Sequence, residues 1–149
     1  MKAVVLTGPG QLEMTERPIP ACGDHEVLVR VMACNLCKTD LKCLTMGQRD
    51  LVYPRVLGHE ISGVIAGVGA AVTGYQEGQR VHVHPGIACG ACAYCKKGDD
   101  NLCDHVRIMG FNYDGGFQEY LVVPAEGVRG QIINIIENDA LSFEEISFI

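Results

Sequence analysis

The sequence has no long hydrophobic run. No stretch approaches the roughly 20 apolar residues that a membrane-spanning helix needs. The opening residues, "MKAVVLTGPG", contain one lysine and a short apolar run, which is too short for the core of a signal peptide. We therefore expect a cytoplasmic protein with no membrane partner, in a reducing environment where clustered cysteines bind metal more often than they form disulfides.

Positive charge is also scarce. The chain has 12 lysine and arginine residues against 18 aspartate and glutamate residues, so its formal net charge is −6. A protein that binds nucleic acid or an anionic membrane usually presents an excess of basic residues to the phosphate groups. The charge balance therefore argues against both of these partners.

The pattern that is present is one of short strands between glycine-rich turns. The 149 residues suit about one domain, and the 18 glycines point to many turns. Alternating or apolar runs predict strands over residues 2–7, 11–18, 26–34, 61–72, 79–85, 115–125 and 132–136. The fold class that these runs predict is mainly β, with one barrel-like domain over residues 1–149.

Helices are expected to be few and short. Residues 37–44, "CKTDLKCL", read as a short helix that is entered from a strand. The "SFEE" at 142–145 is a capping box, which normally opens a helix. Because the sequence stops four residues later, we expect no room for that helix, and we interpret the sequence as a cut one.

Four of the eight cysteines lie in one loop, "CGACAYCKKGDDNLC". Their spacing is C-x2-C-x2-C-x7-C, and the cysteines are Cys89, Cys92, Cys95 and Cys103. Four thiolates complete a tetrahedral zinc site and leave no position for a substrate, so we predict a structural zinc. An iron–sulfur cluster is an alternative, although the bacterial ferredoxin run has a shorter last gap followed by proline. Disulfides are a third reading, which would require export.

A second group of metal-binding residue types lies upstream. Cys37, His59 and Glu60 offer the mixed ligands of an open, catalytic zinc site. Taken alone, each also has a plain structural explanation, as a core thiol or as a turn beside a solvated carboxylate. Cys34 and Cys37 form a C-x-x-C, but the βαβ unit of a thioredoxin-like redox pair is not visible. We read the remaining thiols, those of Cys22, Cys34 and Cys43, as inert.

Four stretches taken together resemble the zinc-dependent medium-chain dehydrogenases, nearest to the sorbitol/threonine dehydrogenase-like branch. They are "CNLCKTD", "YPRVLGHEISGVIAGVGAAVTGYQEGQRV", "CGACAYCKKGDDNLC" and "GGFQEYLVVPA". The resemblance covers all 149 residues, and each motif falls at the expected separation from the next. It implies a GroES-like β-barrel with short helices, a zinc-binding lobe at about residues 86–106, and two zinc ions per chain.

The resemblance also implies a role for individual residues. Cys37 and His59 would be fixed ligands of the catalytic zinc, and Glu60 would bind the metal directly or swing in. Thr39 would relay the substrate proton, and Asp40 would orient His59. Lys38 would lie near the dinucleotide pyrophosphate. The ligands of the structural zinc would be Cys89, Cys92, Cys95 and Cys103.

The implied reaction is oxidation of a small alcohol or polyol, with zinc as Lewis acid on the substrate oxygen and hydride transfer to NAD(P). Relatives continue into a nucleotide-binding domain. The G-x-G-x-x-G turn of such a domain is absent here, since "GVG" at 67–69 has no third glycine at the right place. We therefore expect the 149 residues to be inactive alone, with self-association into a homo-oligomer through exposed apolar faces of "IINII" and "FEEISFI". The alternative is a stand-alone structural zinc module without catalysis.

Overall fold

The computed structural model describes all 149 residues, and ten strands dominate it, as the sequence predicts. The strands are β1 Lys2–Gly8, β2 Gln11–Glu16, β3 Val27–Asn35, β4 Arg55–Val56, β5 Glu60–Val68, β6 Arg80–Val83, β7 Gly86–Ile87, β8 Arg107–Ile108, β9 Tyr120–Val123 and β10 Ile133–Ile135. The helices are α1 Lys38–Met46, α2 Ala125–Arg129 and α3 Phe143–Ile146. None of these helices has the length and apolar character needed to cross a membrane.

The strands form three antiparallel sheets. The largest has the order β10-β6-β5-β3-β9, a second has the order β2-β1-β4, and β7 pairs with β8. A bridge between Ala3 and Gln118 joins the first two sheets, and the Val31 amide donates to the Glu119 carbonyl. The chain segment before β9 therefore fastens the small sheet to the edge of the large one, which gives the predicted barrel-like arrangement.

The main core is built mostly by the five-stranded sheet, and none of its residues comes from β1, β2 or β4. It is built from twelve buried residues, which are mostly Val and Ile from β3, β5, β6 and β9. β3 and β5 are the longest paired strands, and their register places Val27 opposite Val68 at one end and Asn35 opposite Glu60 at the other. The chain leaves β3 directly into α1 and enters β5 directly from His59. Both candidate catalytic segments therefore meet at the same end of one strand pair.

The predicted helix over 37–44 is present with shifted bounds. It begins at Lys38, and Cys37 is its N-cap, whose sulfur accepts a hydrogen bond from the Thr39 amide at 3.3 Å. The Asp40 carboxylate accepts from the Cys37 amide at 3.0 Å, which completes a capping box. The thiol that we predict to bind metal is thus fixed in place by the start of the helix.

Two expectations at the C-terminal end were wrong. The "SFEE" segment does form one helical turn, α3, because Ser142 and Glu145 make the capping box and Ile146 is fully buried against the barrel. The predicted strand over 132–136 is shorter, since β10 covers only Ile133–Ile135; Ile132 and Ile133 are buried and Ile135 is 40% exposed.

Two other predicted strands are shorter than expected. The 115–125 run is a strand only over Tyr120–Val123, and Pro124 then caps α2, a helix that the sequence patterning did not indicate. The 61–72 run ends at Val68, since Gly69 packs against the backbone of Gly23 and Asp24.

Candidate metal centres

The four loop cysteines converge on one point. Their sulfur atoms all lie within 4.8 Å of one another, and all eight cysteines of the chain are free thiols. The loop that carries them contains two short 3₁₀ turns, at Cys95–Lys97 and Asp100–Leu102. The chain therefore wraps around the sulfur cluster with almost no regular structure of its own.

Backbone amides point at these sulfurs. The amides of Ala91 and Cys92 donate to the Cys89 sulfur at 3.5 and 3.4 Å, and the Cys95 amide donates to the Cys92 sulfur at 3.5 Å. These hydrogen bonds favour the thiolate form, so the pKa of Cys89 is lowered and that of Cys92 falls to about 6, chiefly through the Cys95 amide. Burial and the neighbouring thiols of Cys92 and Cys103 instead raise the pKa of Cys95 to about 12, so the amides favour the thiolate at two of the four sulfurs. Four converging sulfurs fit a divalent metal such as zinc.

The second centre joins the two segments that meet at the end of the β3–β5 pair. The Cys37 sulfur lies 3.1 Å from Nε2 of His59. Asp40 lies on the opposite edge of the imidazole, with Oδ1 3.5 Å from Nδ1. A single ion between the Cys37 sulfur and Nε2 would leave Asp40 on the far side of the ring. This geometry suits Cys37 and His59 as ligands of one metal ion and Asp40 as the group that orients the imidazole.

The buried Asp40 carboxylate organises this centre. Besides the Cys37 amide, it accepts a hydrogen bond from the Gly58 amide at 3.2 Å. Burial alone would raise the pKa of Asp40, but the neighbouring His59 ring and the hydrogen bond from the Cys37 amide outweigh it and lower the pKa. The Asp40 carboxylate, 3.5 Å from Nδ1, in turn raises the pKa of His59 to about 9. A metal that bound Nε2 would therefore displace a proton.

The other predicted site residues lie around this pair. Thr39 is half-buried in the first turn of α1, and Lys38 is exposed beside it. Glu60 is half-buried at the start of β5, and its carboxylate is not among the ligand atoms that cluster with Cys37 and His59. Its predicted contact with a metal would therefore require the local movement that a swinging ligand implies.

Sequence reasoning missed two groups that shape the second centre. The Phe111 ring packs edge-on against the His59 ring, with centroids 5.9 Å apart. Asp114 accepts hydrogen bonds from Arg17, Arg55 and the Val56 amide and so holds the chain just before His59. The signal for this segment was present in the "GGFQEYLVVPA" motif, which follows Asp114 directly. In the sequence this motif predicts a strand and supports the family resemblance, but it does not indicate a role at the metal centre.

The remaining cysteines are not among the ligand atoms that cluster at either centre. Cys43 is fully buried in a small apolar cluster, and burial raises its pKa. Burial likewise raises the pKa of Cys34 to about 12 and, more weakly, that of Cys22. These thiols stay protonated at neutral pH, as the interpretation of inert cysteines expects.

Comparison with known proteins places this arrangement in a family. The model of the alcohol dehydrogenase GroES-like domain matches residues 23–130, so the chain belongs to that family and the predicted GroES-like fold is confirmed. The chain is 38% identical over 148 residues to L-galactonate-5-dehydrogenase of Escherichia coli strain K12, covering 95% of this chain and 44% of that protein.

Two solved structures share the fold. Galactitol-1-phosphate dehydrogenase from Escherichia coli superposes with a TM-score of 0.88 at 32% identity, over 99% of this chain and 41% of that one. A short chain alcohol dehydrogenase (rspB) from Escherichia coli CFT073, complexed with NADH, has a TM-score of 0.86 at 36% identity, over 99% and 41%. The chain thus spans about two-fifths of the length of these relatives, and its predicted resemblance to the zinc-dependent medium-chain dehydrogenases is confirmed.

Proposed function

We propose that residues 1–149 form the catalytic domain of a zinc-dependent alcohol or polyol dehydrogenase that uses NAD(P). The observation that carries this proposal is the pair of centres. A closed four-sulfur cluster lies in the loop, and a separate Cys37–His59 pair with an orienting carboxylate lies between two elements of the barrel. One centre suits a structural ion, and the other leaves coordination positions open for a substrate.

In the proposed reaction, the residues of this chain hold the zinc ions, relay the substrate proton and contact the dinucleotide. Cys37 and His59 would hold the catalytic zinc, with Glu60 as the exchangeable ligand, while Cys89, Cys92, Cys95 and Cys103 would hold the structural one. When bound, the catalytic zinc supplies a Lewis acid for the substrate oxygen, and the nicotinamide accepts the hydride. Thr39 would relay the alcohol proton, its hydroxyl accepting that proton while passing its own on towards solvent. Lys38, exposed at the start of α1, would contact the dinucleotide.

We further propose that the 149 residues bind zinc without turning over an alcohol by themselves, since no dinucleotide-binding fingerprint is present among them. The reducing cytoplasm is the compartment that suits eight free thiols. Self-association is proposed through the exposed C-terminal side chains Phe148 and Ile149, which are 76% and 69% exposed.

The second candidate is a stand-alone structural zinc module. The loop cluster supports it, since its four ligand atoms are complete within the described chain, whereas the second centre offers only two on the metal-facing side. The two functions differ in the number of zinc ions that they require.

Metal analysis of the purified chain tests the proposal. We expect about two zinc ions per chain, and about one in Cys37→Ser, which keeps an N-cap acceptor so that α1 stays folded. In a protein of the relatives' full length, Cys37→Ser should abolish NAD(P)-dependent alcohol oxidation. A single zinc in the unmodified chain would favour the structural module, and a brown iron-containing protein would favour an iron–sulfur cluster. Turnover by the 149 residues alone would contradict the proposed need for a further domain.

A further inference from the structure

The segment that leads into His59 is held by three consecutive amides from the segment 115–117. The Gly115 amide donates to the Val56 carbonyl at 2.7 Å, the Gly116 amide to the Gly58 carbonyl at 2.8 Å, and the Phe117 amide to the Leu57 carbonyl at 3.0 Å. Apart from Val56, the last residue of β4, the residues of this ladder lie in two loops. It therefore has a local purpose, which is to fix the backbone immediately before His59.

The close approach of the two segments requires glycine at position 115. A Cβ on Gly115 would lie 2.6 Å from the Leu57 carbonyl oxygen, 2.8 Å from Cα of Gly110, and closer still to the Gly58 carbonyl oxygen. All three contacts are with backbone atoms, which cannot rotate away as a flexible side chain can. Any larger residue at position 115 must therefore push the Gly58 peptide outward.

Gly58 cannot shift to relieve such a clash, because its own backbone is held on both sides. Its amide donates to Oδ1 of Asp40 at 3.2 Å, while its carbonyl accepts from Gly116 at 2.8 Å. Its φ is +91°, and a Cβ there would lie 2.7 Å from the Cys34 sulfur. The peptide that links Gly58 to His59 is planar, so displacement of the Gly58 oxygen also moves the backbone nitrogen of His59.

We infer that Gly115 and Gly116, the glycine pair of the "GGFQEYLVVPA" motif, are positioning residues for His59. By allowing the 115–117 ladder to close against Gly58, they set the place of the imidazole whose Nε2 lies 3.1 Å from the Cys37 sulfur. Metal ligation tolerates displacements of only about 0.2 Å. This inference rests on the proposed function, because it assigns to the glycine pair the geometry of the proposed catalytic zinc site.

The opposing explanation is that the glycine pair only allows dense packing. Gly69 provides a matched control, since a Cβ there would meet the carbonyl oxygens of Gly23 and Asp24 inside van der Waals contact. Gly69 follows the far end of β5, ten residues and roughly 33 Å along the strand from His59. Gly69→Ala and Gly115→Ala therefore impose similar backbone clashes, but only one of them adjoins the metal centre.

The experiment measures zinc affinity at each centre of the 149-residue chain by chelator competition, with circular dichroism as a check on folding. In Gly115→Ala we expect zinc binding at the Cys37–His59 centre to weaken by about 10- to 100-fold, with the four-cysteine cluster unchanged. In Gly69→Ala we expect thermal stability to fall and both zinc affinities to stay at the wild-type values. Unchanged affinity in Gly115→Ala, or an equal loss in Gly69→Ala, would overturn the inference.

A second variant keeps the test decisive if Gly115→Ala does not fold. A Cβ on Gly116 would meet side-chain atoms, Cγ1 of Ile61 at 2.7 Å and the Cys34 sulfur at 2.8 Å. Because these atoms can move, Gly116→Ala should fold and weaken the same centre several-fold, and adding Cys34→Ala should restore part of the affinity. Wild-type affinity in Gly116→Ala would refute the positioning role. If the unmodified chain itself binds one zinc, the proposed function fails instead, so the two failures are distinguishable.

Discussion

The cysteines show how strongly the same side chain depends on its surroundings. In the loop, amides directed at sulfur favour thiolates, as the lowered pKa values of Cys89 and Cys92 show. In the barrel, burial leaves Cys34 and Cys43 as neutral thiols. The spacing of the loop cysteines is enough to predict the first group, because short intervals between cysteines allow their sulfurs to converge on one metal ion. The contribution of Asp114 and Gly115 could not be predicted, because they act on the backbone of residues about 60 positions away.

The buried residue His82 gives a prediction, also at the residue scale, for how the free energy of unfolding depends on pH. His82 is only 5% exposed, and its Nδ1 lies 3.5 Å from the Asn134 side-chain amide, which can donate to a neutral ring. Burial, together with nearby His84, lowers the pKa of His82 below 6.5 in the folded state. The unfolded chain therefore binds the proton more readily, and the free energy of unfolding should decrease as the pH falls below 6.5.

Urea denaturation between about pH 5 and 7.5 measures this effect. His82→Gln should flatten the pH dependence relative to the unmodified protein. His84→Gln is the control, since His84 is exposed and lies just beyond β6, and it should leave most of the dependence in place. An unchanged pH profile in His82→Gln would contradict the assignment.

At the scale of elements, alternation of side chains predicted the strands better than it predicted their ends. Alternate side chains from Val27 onward predict a strand over 26–34, and β3 is found over Val27–Asn35. The helix α2 was missed because Pro124, its N-cap residue, offers no capping side chain. For α3, only four residues follow "SFEE" in the sequence, and that length by itself predicts no room for a helix. A capping box and one buried side chain are enough to hold a single turn against β3 and β5.

The docking of α3 can be measured directly. Ile146 is fully buried, and the Ser62 hydroxyl donates to the Phe143 carbonyl at 2.6 Å, so the turn is held by one apolar and one polar contact. Ile146→Ala should lower the free energy of unfolding by about 2 kcal/mol or more. Ile149→Ala removes the same atoms from a side chain that is 69% exposed and should change stability by less than about 0.5 kcal/mol. Equal effects of the two substitutions in chemical denaturation would show that α3 does not dock.

At the scale of the whole molecule, the barrel and the cysteine loop are stabilised differently. The three apolar clusters of the chain contain no residue from 88 to 106, and Cys103 is the only buried side chain in that interval. A segment without a core of its own depends on metal coordination for its structure. The barrel, in contrast, buries twelve residues in one continuous cluster that does not involve the loop sulfurs. Metal removal should therefore unfold the loop and leave the barrel folded.

Limited trypsin digestion with and without a zinc chelator tests this separation. Lys96 and Lys97 are exposed in the loop, and while zinc holds the loop they should resist cleavage, because a protease needs an extended, mobile segment. Chelation should open this site while the far-ultraviolet circular dichroism of the strands persists, and Cys92→Ser should behave like the chelated protein. Cys37→Ser is the control, since it disrupts only the other centre and should remain protected when zinc is present. Loss of the strand signal together with loop cleavage would instead mean that the loop metal and the barrel fold as one cooperative unit.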